Sequence, residues 1–136
     1  MNWNIKSAIF VVLLLLSVCE LKAQIYKYQA YCFSYTYKDD NGGWSGWSDW
    51  EDSNRQIVFN MDENIIVVYS DIIQKYDIDE YEVIDEVEFG GTSVAFECVD
   101  NRGFQCRVRL WSKIDGNLQL YVVYGDMMWV YGIRKK

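Results

Sequence analysis

Three groups of residues in this chain are placed to do chemistry. In Gly42-Gly43-Trp44-Ser45-Gly46-Trp47-Ser48-Asp49-Trp50, tryptophan recurs at every third residue. Successive residues of a strand point to opposite faces, so this spacing cannot put three indoles on one side of a flat strand. Either the segment bulges or at least one indole is exposed. Buried, the indoles would close a sheet; exposed, they would bind sugar or protein, which makes Trp44, Trp47 and Trp50 candidate ligand contacts. The second group is acidic: Asp77, Asp79, Glu80, Glu82, Asp85, Glu86 and Glu88 crowd the stretch 77–88. Such a run is either a solvated face or a docking surface for a basic protein, because a concentrated field speeds association. Asp79, Glu80, Glu82 and Glu86 are the expected docking residues. Calcium wants several oxygens, but neither this run nor Asp39-Asp40-Asn41-Gly42 has the spacing of an EF-hand loop. The third group is Cys32, Cys98 and Cys106, left when Cys19 is assigned to a leader.

Much other chemistry is excluded by composition. The 136 residues contain no His, which removes Ser-His and Cys-His nucleophile arrangements, HExxH zinc sites and imidazole pH switches. There is no Gly-rich phosphate loop, G-x-S-x-G elbow or CxxC pair. Carboxylates are so numerous that a glycosidase-type pair carries no signal without geometry. The expectation is a non-enzymatic protein with no cofactor and no metal. Its net charge of −7 argues against a nucleic-acid partner.

The elements that must position these residues are strands. Runs rich in Tyr, Val, Ile, Phe and Trp alternate with Gly/Asn/Asp turn clusters, and no stretch sustains a helical period except weakly between Asp77 and Glu88. The expected runs are 25–37, 44–50, 56–60, 65–70, 72–78, 81–89, 93–100, 104–112, 118–124 and 127–134. Their connections are too short for parallel crossovers. The prediction is a single all-β domain over 24–136: an antiparallel meander of eight to ten short strands forming a small up-and-down barrel, with a two-sheet sandwich as the alternative.

One hairpin can be registered from the residues alone. Asn101-Arg102-Gly103 fits a three-residue loop with Gly103 in the left-handed region. Asp100 then faces Phe104, Cys98 faces Cys106, Phe96 faces Val108 and Val94 faces Leu110, while Glu97 meets Arg107 on the other side. Opposite residues lie within disulfide reach, so a Cys98–Cys106 bond is predicted and Cys32 remains a buried free thiol. Asp115-Gly116-Asn117 reads as a further loop, and Gly125-Asp126 as a type II′ turn.

The first 23 residues read as an address. Lys6 precedes the apolar run Ala8–Leu16, and Leu21-Lys22-Ala23 offers a cleavage site before Gln24. Loss of Lys6, Glu20 and Lys22 would take the net charge from −7 to −8. Leu16-Ser17-Val18-Cys19 looks like a lipobox, which gives lipidation at Cys19 as the alternative membrane attachment. The junction resembles signal peptides of Gram-negative bacteria, which implies a periplasmic or extracellular protein. Gly42-Gly43-Trp44 resembles the G-x-W of lipocalins. That resemblance implies a calycin-like barrel whose Trp44 closes the base against a late arginine, Arg134. The functional expectation is an exported binding domain for a small apolar or aromatic molecule or a sugar. The alternative is an acidic inhibitor or immunity-type protein with a basic partner.

Overall fold

The computed structural model describes residues 24–85 and 90–136. The expected leader with Cys19, and Glu86 of the acidic run, lie outside the described residues. Among the described residues nine strands run in order: β1 (Ile25–Tyr37), β2 (Glu51–Asp52), β3 (Gln56–Asn60), β4 (Ile65–Tyr69), β5 (Gln74–Asp85), β6 (Thr92–Asp100), β7 (Gln105–Ser112), β8 (Leu118–Val123) and β9 (Met127–Lys135). Each pairs antiparallel with the next from β3 onward. β1 pairs with β3 along one edge and β9 along the other, so the sheet closes. The result is an eight-stranded up-and-down barrel, with the two-residue β2 added along β1. Closure gives each of the eight barrel strands a partner on both sides along at least part of its length, which is the reason a barrel suits so short a meander.

An eight-stranded barrel is just wide enough for its interior to be filled by side chains. Tyr28, Ile57, Phe59, Ile66, Tyr76, Phe96, Val108, Leu120 and Tyr131 are buried to within 2%. Aromatic rings touch along the axis: Tyr28 meets Phe59 at 5.6 Å edge-on, Phe59 meets Phe96 at 5.6 Å, and Phe96 meets Tyr81 at 5.9 Å. Burying each such side chain stabilises the fold by roughly 1.5–3 kcal/mol. A barrel with this filling has its ligand-accessible surfaces outside and at its ends.

The 98–106 hairpin forms in the expected register throughout, from Val94↔Leu110 to Cys98↔Cys106. Gly103 takes φ 89 and its N–H donates to the Asp100 carbonyl. Other expectations are corrected. Within the expected runs 72–78 and 81–89, residues 74–85 form one strand, β5, with a bulge at Asp79 between Ile78 and Glu80, and 86–89 lie outside the described residues. A bulge bends a strand without ending it, and the charged Asp79-Glu80 pair imitates a turn in sequence. The β7–β8 loop is Ile114-Asp115-Gly116, with the Lys113 N–H donating to the Asn117 carbonyl and Gly116 at φ 89. The β8–β9 loop has the expected two residues, but Gly125 lacks the positive φ of a type II′ turn. A second bulge in β1, at Tyr31, lets one strand serve both β3 and β9.

Candidate functional site

The tryptophan segment is not the regular strand expected over 44–50. It runs along the free edge of β1 as an irregular strap. Lys38 bridges to Trp44, Ser45 N–H donates to the Tyr37 carbonyl at 2.8 Å, Ser48 N–H donates to the Tyr35 carbonyl at 2.8 Å, and Glu51 pairs with Phe33. Three strap residues therefore pass for every two residues of β1. Serine makes this mismatch workable. Ser48 Oγ accepts the Tyr35 N–H at 3.0 Å and Ser45 Oγ accepts the Tyr37 N–H at 3.3 Å, standing in for missing carbonyls. In return the buried hydroxyls of Ser34 and Thr36 donate to the carbonyls of Ser48 (2.6 Å) and Ser45 (2.7 Å). A three-for-two repeat puts Trp44, Trp47 and Trp50 at equivalent positions, which a flat strand could not do.

The three indoles are exposed, at 40%, 46% and 54%. Trp47 meets the ring of Tyr121 at 6.3 Å, and Tyr121 meets Trp111 at 6.3 Å. Both partners stand on the outward face of their strands, since Leu118, Leu120 and Val122 take the inward face of β8. Ser34, Thr36 and Val130 point outward by alternation yet are buried, because the strap lies over this part of the wall. Cations edge the aromatic row. Lys38 sits 5.3 Å from the Trp44 ring, and Arg109 and Lys113 sit 5.6 and 5.7 Å from that of Trp111. Trp111 Nε1 donates to the Gly90 carbonyl at 3.1 Å. Burial raises the Tyr121 phenol above its ordinary range, with Arg109 pulling the other way. Sequence alone singles out the tryptophans but misses Tyr121, Trp111, Arg109 and Lys113. Their outward phase, opposite the apolar set of β7 and β8, is the signal that could find them.

Trp44 and Arg134 do not meet, contrary to what the lipocalin resemblance implies. Arg134 stacks over Tyr31 at 4.5 Å, midway along β1, while Trp44 stacks with Lys38 beyond the C-terminal end of that strand. The β1–β9 register separates them: Gln29 faces Arg134, and Tyr37 faces Met127.

Asp79, Glu80 and Glu82 do come together, with Glu97, Gln105 and Cys98, around an open groove of about 440 Å³ at the β5 bulge. Glu80 faces Glu97 across the ladder. Arg107 partly offsets this repulsion, at 3.1 Å from Glu82 and 3.4 Å from Glu97. Among the described residues no group of three or more His, Cys, Asp or Glu is placed to hold a metal ion.

The predicted disulfide is not present: Cys32, Cys98 and Cys106 are free thiols. Asp100 N–H donates to the Phe104 carbonyl. Counting two residues along from that pair makes Cys98 and Cys106 a hydrogen-bonded pair, the kind whose side chains stand further apart. Instead Cys98 Sγ donates to the Phe96 carbonyl at 3.6 Å. Burial raises the Cys98 thiol and, helped by nearby carboxylates, lifts Cys106 to about 11 against a hydrogen bond with Tyr124. Both are therefore poor thiolates near neutrality. No protein-family model matches the chain, and neither curated proteins nor solved structures give a match.

Proposed function

We propose that this chain is an exported, non-enzymatic binding domain whose ligand is a saccharide held on the outer wall of the barrel. The observation that carries the reading is the row of indoles, 40–54% exposed on a strap whose backbone is repeatedly bonded to β1. Exposed tryptophans carry a cost in solubility, and a contiguous aromatic surface is a mark of binding. The flat faces of Trp44, Trp47 and Trp50 suit the C–H faces of sugar rings. Lys38 and Arg109, at the two ends of the aromatic row, would supply donors to the sugar hydroxyls. The filled interior moves the binding site from the barrel axis to its wall. Export rests on the leader-like segment 1–23.

Titration with a panel of soluble oligosaccharides, followed by indole fluorescence and calorimetry, tests the reading. At least one saccharide should bind, and Trp47→Ala should weaken it roughly 10- to 100-fold, the scale of an aromatic anchor. Saccharides that leave indole emission unchanged, or a Trp47→Ala protein that binds as well as wild type, would overturn it.

The acidic groove favours a second reading, in which a basic protein docks at Asp79, Glu80 and Glu82. Capture of such a partner should fall steeply between about 0.05 and 0.3 M salt, because exposed charges are screened over roughly 10 Å at 0.1 M. The triple change Asp79→Asn, Glu80→Gln, Glu82→Gln should abolish it; capture that survives both treatments would exclude this surface.

A further inference from the structure

We propose a second binding site, at the open end of the barrel, for a small zwitterion such as a free amino acid with an apolar side chain. Arg55 continues the inward phase of Ile57 and Phe59 on β3, and the Ala30 N–H holds its carbonyl at 2.8 Å. A charged residue thus stands where the core pattern calls for an apolar one. Its Nη1 donates to the phenol of the fully buried Tyr131 at 2.8 Å. The guanidinium lies 5.4 Å from the Phe33 ring and 5.8 Å from that of Tyr131. Among the described residues no carboxylate comes within ion-pairing distance of it, whereas Arg102 and Arg107 are both paired. Guanidinium has five N–H donors in a fixed fork suited to a carboxylate, and here one donor is engaged by the protein.

The space beside it fits the remainder of such a ligand. A cavity of about 350 Å³ is lined by Phe33, Asp52, Arg55, Tyr69 and Asp71, with Ser53, Asn54 and Ser70 completing the wall. That is the small end of the range for ligand sites, about 300–1,000 Å³. One cation and two carboxylates share the lining. A simple anion would meet Asp52 and Asp71, and a simple cation would meet Arg55. A molecule bearing both charges satisfies both, with its carboxylate on Arg55, its ammonium toward the aspartates and its side chain against Phe33 and Tyr69. None of the strap tryptophans lines this cavity.

Three probes that share a phenylethyl unit separate the contributions: L-phenylalanine, hydrocinnamate without the ammonium, and phenethylamine without the carboxylate. Calorimetry on the protein should show L-phenylalanine binding at least about tenfold more tightly than either analogue. Arg55→Gln should erase its advantage over phenethylamine. The exposed pair Asp52→Asn and Asp71→Asn should erase its advantage over hydrocinnamate and keeps the test available if Arg55→Gln fails to fold. Trp47→Ala should leave all three affinities unchanged, so failure here is distinct from failure of the saccharide reading. Equal binding of the three probes, or no binding of any at about 10 mM, would overturn the proposal.

Discussion

Asp100→Ala should destabilise the barrel by about 3 kcal/mol, the range for removing a buried, multiply bonded charge. Asp100 sits at the end of β6, 5% exposed. Its Oδ1 accepts the N–H groups of Arg102 and Phe104, each at 2.9 Å, which fixes the β6–β7 turn. Its Oδ2 accepts the Tyr124 phenol at 2.7 Å and the Arg102 guanidinium at 3.1 Å, which ties that turn to the end of β8. Burial alone would raise the carboxyl. The hydrogen bonds from Tyr124, Phe104 and Arg102 outweigh it and hold the group down at about 2. A carboxylate whose folded pKa lies below its unfolded value of about 3.9 adds stability above that value. That stability, on the order of 2 kcal/mol, fades as pH falls from about 4 to about 2. Urea melts of wild type and Asp100→Asn between pH 7 and pH 2 should therefore converge at the acid end. Parallel curves, separated equally at pH 7 and pH 2, would show that the charge itself does nothing. Tyr124→Phe should remove part of the effect, because it deletes one donor and leaves the turn intact.

Which parts of this molecule are legible in its sequence depends on how far apart the interacting residues lie. The 98–106 hairpin is readable because one glycine fixes the loop, the loop fixes the register, and period-two alternation then assigns every side chain to a face. The same rule, with glycine third in a three-residue loop, also governs Ile114-Asp115-Gly116. Sequence reading places that loop one residue late because isoleucine does not look like a turn former, although Ile114 is 84% exposed. The pairing shift that follows is even, so Leu118, Leu120 and Val122 keep the core face. Bulges are harder to read. Asp79 adds one residue to β5, and its charge reads as an interruption when the strand continues.

The candidate sites follow the same logic. Trp44, Trp47 and Trp50 announce themselves by type and spacing, and that spacing requires either a bulge or exposure; the strap has both. The serines between them are silent, since their role as substitutes for backbone acceptors appears only once β1 is alongside. Arg55 gives no local signal at all. Its partner Tyr131 is 76 residues away, and the two meet because barrel closure brings β9 against β1. Likewise Trp44 and Arg134 can be paired on paper by family pattern, but the length of β1 keeps them apart.

Gly91→Ala should cost more than either half of its environment predicts, about 3–4 kcal/mol. Gly90 and Gly91 both take positive φ, at 80 and 82, in the connection that enters β6. An L-residue there costs roughly 1–2 kcal/mol from its own sterics. At Gly91 a Cβ would also lie 2.2 Å from the Ser112 carbonyl oxygen and 3.0 Å from Lys113 Cα. Both are backbone atoms, so no rotamer change relieves the overlap; the end of β7 must move away from β6, loosening the Thr92↔Ser112 pair. Gly116 supplies the comparison. Its φ is 89, but a Cβ added there would meet no atom within 4 Å, so Gly116→Ala should show the conformational cost alone, about 1–2 kcal/mol. Urea denaturation of the two variants beside wild type isolates the overlap as their difference. The damage at Gly91 should also disturb the adjoining Trp111 Nε1 bond to the Gly90 carbonyl and alter indole emission before global unfolding. Equal costs for the two glycines, with unchanged emission, would mean that β6 and β7 part freely at this end and that the wall beneath the aromatic row is not rigid.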